Sequence, residues 1–366
     1  MTAPPTLVFL WENFGPMHVD RCEAVAARFP AASVVGLELY SRSEVYDWTP
    51  ETGASFEKRT LFPEGARPGL LSRARAIWSA IRACGRAEVF LCHYERPEIL
   101  IAAILCRLTG RRVHTMSCSK FDDMPRRAWR EFLKSLWLFP YRGAISSTGR
   151  PAAYLRFLGV PRVEVAYNTI SLARIRAAAG APPAPEGAPF AERHFTIVAR
   201  LVEKKNLGMA LDAYARYHAA AEAPRDLVIC GSGPLEAQLR EQAGDLPVRF
   251  TGFLQSPEIA KLLATTFALL LPSTEEQFGN VVIEAQAMGL PVILSDAAGA
   301  HDALVRSARN GFVVEPDNPD GLAWFMARLA GDEALWRRMS RAASETAELG
   351  DSARFADAVA ALTGQP

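Results

Sequence analysis

Two kinds of stretch alternate along the chain. Short apolar, often β-branched runs occur at TLVFL (6–10), SVVGLEL (33–39), EVFLCH (88–93), RRVHTM (111–116), GAISS (143–147) and VEVAY (163–167). Between them lie segments of helical period, such as LLSRARAIWSAIRACG and EILIAAILCRLTG, the second closed by Gly110 as a C-cap. Strands that are apolar throughout have no polar face to show, so this alternation predicts parallel sheets covered by helices on both sides. The pattern breaks at AAAGAPPAPEGAPFAE (177–192), which has the composition of a linker. It resumes with FTIVAR (195–200), DLVICG (226–231), VRFTGF (248–253), FALLLP (267–272), PVILS (291–295) and GFVVEP (311–316), and three helical stretches follow residue 318.

The expected fold class is α/β, with two Rossmann-like doubly wound domains facing across a cleft. The first spans residues 1–176, the linker 177–192 and the second 193–366, the last helix placed either there or back on the first domain. Ligands of such sheets bind beyond the carboxyl ends of the strands, so the loops after the strands are where chemistry is sought.

Composition narrows the class further. A length of 366 residues suits two cores better than one, and 49% apolar with 22% charged residues is ordinary for a soluble globular protein. No apolar run approaches the roughly 20 residues needed to cross a bilayer. Cys22, Cys84, Cys92, Cys106, Cys118 and Cys230 form neither a Cys-x-x-Cys pair nor a Cys/His cluster at metal spacing, which reads as free thiols in a reducing compartment. The opening MTAPPTLVFLWENFG has no basic leader region and meets Glu12 early, so a cytoplasmic location is expected. The net charge of +1 conceals an asymmetry: residues 1–180 hold 25 Lys and Arg against 16 Asp and Glu, a net of +9, and residues 181–366 hold 16 against 24, a net of −8. A basic half fits nucleic acid, an anionic membrane surface or a phosphorylated substrate. Nucleic acid has no further support, because no aromatic-rich basic strand or recognised module is present.

Candidate chemistry concentrates in the second half. Arg200 ends a strand, and Lys204 and Lys205 precede a helix that begins near Asn206. Cations at a helix N-terminus are unfavourable unless an anion joins them, so this cluster reads either as an anion site or as a solvated patch. DLVICGSGPLEAQL resembles a dinucleotide fingerprint, but Glu236 stands where the third glycine belongs. Gly231 and Gly233 are better explained by close passage of another backbone. In EEQFGNVVIEAQAMG, Gly279 opens a helix and lets backbone amides approach a ligand, with Glu276 before it and Glu284 one turn in. Ionised carboxylates only accept hydrogen bonds, and each can take them from two sugar hydroxyls. Two such groups with cations between them suit a nucleotide sugar: one on the ribose, one on the hexose, the diphosphate on Arg200 and Lys205. The plain alternative makes Glu276 a stand-in N-cap and Glu284 an exposed helix residue.

Residues 196–340 resemble the donor domain of retaining GT-B glycosyltransferases of the family-4 type (glycosyl transferases group 1). The stretches that carry the resemblance are ARLVEKKN, VICGSGPLEAQL, FTGFL, EQFGNVVIEAQAMGLPVILSDAAG and NGFVVEPDNPDGLAWFMARLAGDEALWRRM, in the family's order and spacing. The resemblance implies that Arg200 and Lys205 clamp the donor diphosphate. It implies hexose contacts from Glu276 and the amides of Phe278, Gly279 and Asn280, ribose contacts from Glu284, and base contacts near Gly252 to Leu254. In the first domain it points to Gly15, in the acceptor loop WENFGPMHVD, and to His93, where the strand within VFLCHYERPE ends, as a histidine facing the donor sugar. Where the family has a glycine pair this chain has Gly15-Pro16, and VHTMSCSKFDDMPRR departs from the family's pattern, so His114 and Asp122 receive no role.

A hexosyltransferase of this kind moves a sugar from a nucleoside diphosphate to an acceptor hydroxyl, on a glycan or lipid-linked glycan, with retention of the anomeric configuration. The resemblance implies same-face attack, with leaving-group phosphate taking the acceptor proton and Glu276 positioning the hexose. No Asp-x-Asp stands in a metal-binding loop, so no metal is expected, and no cofactor beyond the nucleotide-sugar co-substrate. The rival readings are a nucleotide-sugar epimerase on the same fold, a nicotinamide-dependent oxidoreductase disfavoured by the broken glycine fingerprint, and a non-catalytic sugar-binding protein.

The basic half holds one more pattern. In DDMPRRAWREFLKSLWLFPYRG a helix start is expected at Pro125, with Trp129, Phe132, Leu133, Leu136 and Trp137 on one face and Arg126, Arg127, Arg130 and Lys134 on the rest. SRARAIWSAIRACGR adds Arg73, Arg75, Arg82 and Arg86 around Trp78. Each apolar face packs on the first domain's sheet, or the basic surface rests on anionic lipid at the inner face of a membrane.

Overall fold

The apolar runs pair as parallel strands in two separate sheets. In a computed structural model, which describes residues 6–41, 53–123 and 125–364, the chain divides into two units: Met1–Ser171 with Asp351–Pro366, and Leu172–Gly350. The opening residues 1–5, part of the stretch read for a leader, lie outside the described residues, as does Met124.

The first unit runs β1 (Thr6–Trp11), α1 (Pro16–Arg28), β2 (Ser33–Tyr40), β3 (Glu57–Phe62), α2 (Leu70–Ala83), β4 (Ala87–Cys92), α3 (Pro97–Leu108), β5 (Arg112–Ser117), α4 (Ala128–Leu138), β6 (Gly143–Ser146), α5 (Gly149–Phe157) and β7 (Val163–Val165). Its seven strands lie in the order β3-β2-β1-β4-β5-β6-β7. Central β1 is apolar on both faces because both are covered: Val8 and Leu10 join one core with Ile77, Val89 and Ile99, while Leu7 and Phe9 join another with Phe90 and Ile145. The strand β3 has no counterpart among the expected strands. Its sequence EKRTLF carries no apolar run, and it pairs only with β2 at the sheet edge, half-buried at best. An edge strand needs one partner and one covered face, so it leaves a weak trace in the sequence.

The second unit runs α6 (Leu172–Ala179), β8 (His194–Val198), α7 (Leu207–Ala220), β9 (Leu227–Cys230), α8 (Glu236–Ala243), β10 (Val248–Gly252), α9 (Ser256–Ala264), β11 (Thr266–Leu271), α10 (Val281–Ala287), β12 (Val292–Ser295), α11 (His301–Leu304), β13 (Gly311–Val314), α12 (Pro319–Ala330) and α13 (Glu333–Ala347). Its strand order is β10-β9-β8-β11-β12-β13. Asn318 and Asp332 cap α12 and α13 by accepting from the amides of Gly321 and Leu335. After Gly350 the chain returns to the first unit as α14 (Ser352–Thr363), whose Phe355, Val359 and Leu362 fill the core around Phe9 and Phe90.

The two basic helices of the first unit behave differently. In α2, Ala74, Ile77 and Ile81 are buried and Trp78 packs against the core. In α4, Trp129, Phe132, Leu133 and Leu136 are exposed, while Glu131 and Leu138 are buried. The helix also starts at Ala128 and not at Pro125: Arg127 before it is extended, φ −126° and ψ 125°, and the Arg126 guanidinium bonds the Phe121 and Lys120 carbonyls and Tyr154 OH. Among the described residues no helix is long and apolar enough to cross a membrane.

Strand order reverses between β1 and β4 in the first sheet and between β8 and β11 in the second. Such switch points open a crevice at the carboxyl ends of the two strands. Gly15 and His93 follow β1 and β4, and Arg200, Lys205 and Glu276 follow β8 and β11.

Candidate active site

In the second unit the chain leaves β8 through Arg200 and makes one 3₁₀ turn over Glu203–Lys205 before α7. Asn206 joins the two in the left-handed region, φ 57°, which asparagine tolerates better than most residues. Its Nδ2 donates to the carbonyls of Pro272 (3.1 Å) and Pro316 (2.6 Å), tying this loop to those after β11 and β13. The amide of Thr274 donates to the Lys204 carbonyl at 3.0 Å, a second tie between the same loops. Lys205 Nζ is thereby set against the Glu276 carboxylate as an ion pair, the two side chains only 13% and 17% exposed. Lys204 pairs with Glu275 at 3.3 Å on the exposed side.

The loop after β11 is pinned from its other flank. Gly299 N–H donates to the Glu276 carbonyl (3.0 Å) and Ala300 N–H to that of Phe278 (2.9 Å). This approach requires glycine: a Cβ on Gly299 would stand 2.1 Å from the Gln277 oxygen. Phe278 is buried as an anchor, and Gly279, at φ 98°, turns the chain into α10. No side chain caps α10 at Asn280, and Glu284 lies half-buried in its first turn. The charge of Glu284 reaches Cys230, whose thiol pKa is raised mainly by burial and further by that carboxylate. Gly231 N–H bonds the Gly252 carbonyl at 2.8 Å, and the Leu254 backbone bonds Cys230. Glu284, Gly252 and Leu254 therefore gather around the end of β9. Gly231 and Gly233 meet the Ala199 and Leu201 carbonyls, where added Cβ atoms would fall at 1.9 and 2.4 Å, so these glycines serve backbone approach.

Two residues here escaped the sequence reading. Asn206 follows the lysines in ARLVEKKN, and only its left-handed φ marks it out. Ser273, at the end of β11, has a buried hydroxyl with no partner among the described residues, and nothing in LLLPSTEE signals it.

In the first unit Gly15 precedes α1, and its N–H donates to His18 Nδ1 at 2.9 Å. The His18 ring packs against Trp11 at a tilt of 44°, and its pKa is lowered well below 6.5 by burial, then by Arg21 and His93. His93 adopts φ 60°, a strained conformation for a non-glycine residue, with Nδ1 3.3 Å from Glu95. A charge on Cys92 raises the His93 pKa, burial opposes the rise, and hydrogen bonds to Cys92 and Glu95 add to it. Below the two histidines lie Tyr167, accepting from Trp11 Nε1 at 3.1 Å, and Cys92, 3.2 Å from the same hydroxyl. The sequence reading missed His18, although it lies in the quoted loop three residues after Gly15. His114 is stacked on Phe90 and bonded to Glu88, and Asp122 is paired with Arg150. Among the described residues no group of three or more His, Cys, Asp or Glu could hold a metal ion.

Residues 184–346 match the sequence profile of glycosyl transferases group 1. An uncharacterized glycosyltransferase of Methanocaldococcus jannaschii is 32% identical over 145 residues, 38% of this chain and 36% of that protein. A GDP-mannose-dependent alpha-(1-6)-phosphatidylinositol dimannoside mannosyltransferase of Mycobacterium tuberculosis is 31% identical over 166 residues, 45% of this chain and 42% of that protein. The matches thus span well under half the length of these relatives. Among solved structures, sucrose-phosphate synthase from Thermosynechococcus elongatus superposes with a TM-score of 0.74 at 19% identity, over 99% of this chain and 98% of that one. An Anabaena protein solved with UDP and glucose gives 0.70 at 16%, over 99% and 100%. At such identities the likeness is one of fold.

Proposed function

We propose that this chain, which belongs to the glycosyl transferases group 1 family and has the GT-B fold, transfers a hexose from a nucleoside diphosphate to an acceptor hydroxyl with retention of configuration. The acceptor is a glycan or lipid-linked glycan, and the protein works from the cytoplasm at an anionic membrane surface. The observation that carries the reading is the β8/β11 switch point, where the loops bearing Arg200, Lys205 and Glu276 are tied to one another and Glu284 stands beside the end of β9.

Breaking the bond between sugar and diphosphate places negative charge on the leaving phosphate while positive charge grows on the sugar. Pre-placed cations favour that separation, and removing one such contact typically costs about 10²–10³ in kcat. Arg200 and Lys205 fill this role. Without ligand, the charge on Lys205 is balanced by Glu276. A bound diphosphate supplies the counter-charge instead and leaves Glu276 to accept from hexose hydroxyls, with the amides of Phe278, Gly279 and Asn280 beside it. Glu284 takes the ribose, and the backbone of Gly252 and Leu254 borders the base. In the first unit Gly15 is assigned to the acceptor loop and His93 to the donor sugar. The acceptor hydroxyl attacks from the face the diphosphate leaves, and the phosphate takes its proton, so no side-chain nucleophile is required.

Thermal shift with UDP, GDP and their sugar conjugates tests the donor half. A ligand at about 100 times its dissociation constant adds about 2.7 kcal/mol of stability. Turnover of the stabilising donor only when a sugar acceptor is added supports transfer. Turnover without acceptor would indicate an epimerase, and binding without turnover a sugar-binding protein.

A further inference from the structure

We propose that the outward face of α4 inserts into the interfacial layer of an anionic lipid bilayer. The inference deepens the reading of a lipid-linked acceptor and rests on it only for its purpose. Amphipathic surface helices ordinarily turn their apolar stripe inward. Here most of the stripe points outward, and of its five residues only Trp137 packs against the core, its Nε1 donating to the Tyr94 carbonyl. Trp129, Phe132 and Leu136 are 57%, 64% and 58% exposed, at helical spacing on one face, and Phe139 continues that face beyond the last turn. The buried side instead holds Glu131, which accepts from Tyr154 OH and Lys134 Nζ, with Leu138 beside it. Large outward aromatics in such a row mark an interaction surface.

The charges around the stripe select the occupant. The single acid of AWREFLKSLWL, Glu131, is turned inward and bonded, so the helix shows no negative charge outside. Cations border it instead: Arg130 lies over the Trp129 ring at 5.3 Å, Arg107 of α3 over the Phe139 ring at 4.6 Å, and Arg127 is exposed at the N-cap. Arginines whose guanidinium groups ride beside aromatic rings can keep their charge at the phosphates while the rings enter the acyl boundary. A second copy of this chain would bring the same cations against these, which disfavours self-association through this face. Of the 15 exposed large apolar side chains among the described residues, 12 belong to the first unit.

The test uses the full chain and vesicles of phosphatidylcholine with or without phosphatidylglycerol, and reads partition by sedimentation, so no donor or turnover is involved. Partition into phosphatidylglycerol vesicles is expected, with quenching of tryptophan emission by brominated lipid that the Trp129→Phe variant loses. Phe132→Ser with Leu136→Ser should lower partition by about tenfold or more, with the UDP thermal shift and melting curve of the parent retained. Arg127→Glu with Arg130→Glu should lower it about fivefold per charge removed, at unchanged fold. Partition that added salt abolishes completely, without bromolipid quenching, would overturn insertion. Absence of partition at low salt would overturn the proposal outright, whether the face then proves to join two copies, detected as a dimer that the serine variant dissociates, or to take a protein partner. Failure of every nucleotide to bind would instead sink the donor reading and leave this result standing.

Discussion

The loops at the two switch points are held in different ways. In the second unit they are joined mostly main chain to main chain, Thr274 to Lys204, Gly299 to Glu276, Ala300 to Phe278, Leu201 to Ser232 and Gly231 to Gly252, with the Asn206 side chain adding bonds to Pro272 and Pro316. In the first unit side chains carry most of the corresponding contacts, Arg96 to Glu12, Trp11 and Cys92 to Tyr167 and Cys118 to Asn168, beside backbone ties from Tyr40 to Glu12 and from Tyr167 to Ser146. Bonds between backbones hold amides and loop positions fixed through most substitutions, the glycines at the closest approaches excepted. Bonds between side chains change with every substitution. The first construction suits a ligand portion that stays constant, such as a nucleoside diphosphate, and the second a partner that varies. The family profile covers 184–346 and leaves out the first unit's loops.

The largest expected effect comes from breaking the charged centre of the fixed set. Lys205→Ala removes a cation from the diphosphate and leaves the Glu276 carboxylate without its ion-pair partner, so kcat should fall about 10²–10³-fold. Unchanged turnover would remove Lys205 from the site. Next is Gly299→Ala, whose Cβ would collide with the Gln277 carbonyl 2.1 Å away. It should lower the melting temperature and weaken nucleoside diphosphate binding together, because the stitch is also the scaffold. Tyr167→Phe is the counterpart in the first unit. It deprives Trp11 Nε1 and Cys92 of a partner at a cost of about 1–3 kcal/mol, yet the dissociation constant of a nucleoside diphosphate should stay the same. A matching loss of nucleotide affinity would mean that the two sets of loops are not independent.

Subtler variants sharpen the picture inside the second unit. Glu284→Gln should weaken nucleoside diphosphate and sugar nucleotide alike, whereas Glu276→Gln should weaken the sugar nucleotide alone, as calorimetry can separate. The smallest effect concerns acid. Burial lowers the pKa values of His18, His114 and His194 from their ordinary 6.5. The unfolded chain then binds more protons than the folded one below that value, and stability should decline as pH falls from about 6.5 towards 5. Melting curves of His18→Gln against the parent should show a shallower acid slope.

Much of this was legible because the second unit's chemistry lies in short local motifs. ARLVEKKN and EEQFGNVVIEAQAMG each name a strand end, a turn and a helix start, and local order is what a sequence displays. The pairing of Lys205 with Glu276 was not legible, since it joins residues 71 apart and depends on the Thr274 and Asn206 ties. The strand β3 escaped because an edge strand needs no apolar run. For α4 the periodicity gave a face but not its direction. Apolar and charged stripes look the same in sequence whether they point in or out, and only the bonds of Glu131 to Tyr154 and Lys134 decide it.

The return of α14 to the first unit has a consequence for how the protein is made. Phe355, Val359 and Leu362 complete a core begun by Leu7, Phe9 and Phe90, yet the ribosome adds them only after all of Leu172–Gly350. At about 5–20 residues per second the first unit waits roughly ten to forty seconds for its final helix. The second unit, whose segments are contiguous, can close in that interval. The unit translated first is therefore finished last, and throughout the wait the part of its sheet that α14 covers, beside Cys22 and Val25 of α1 and Phe29 just after it, stays uncovered.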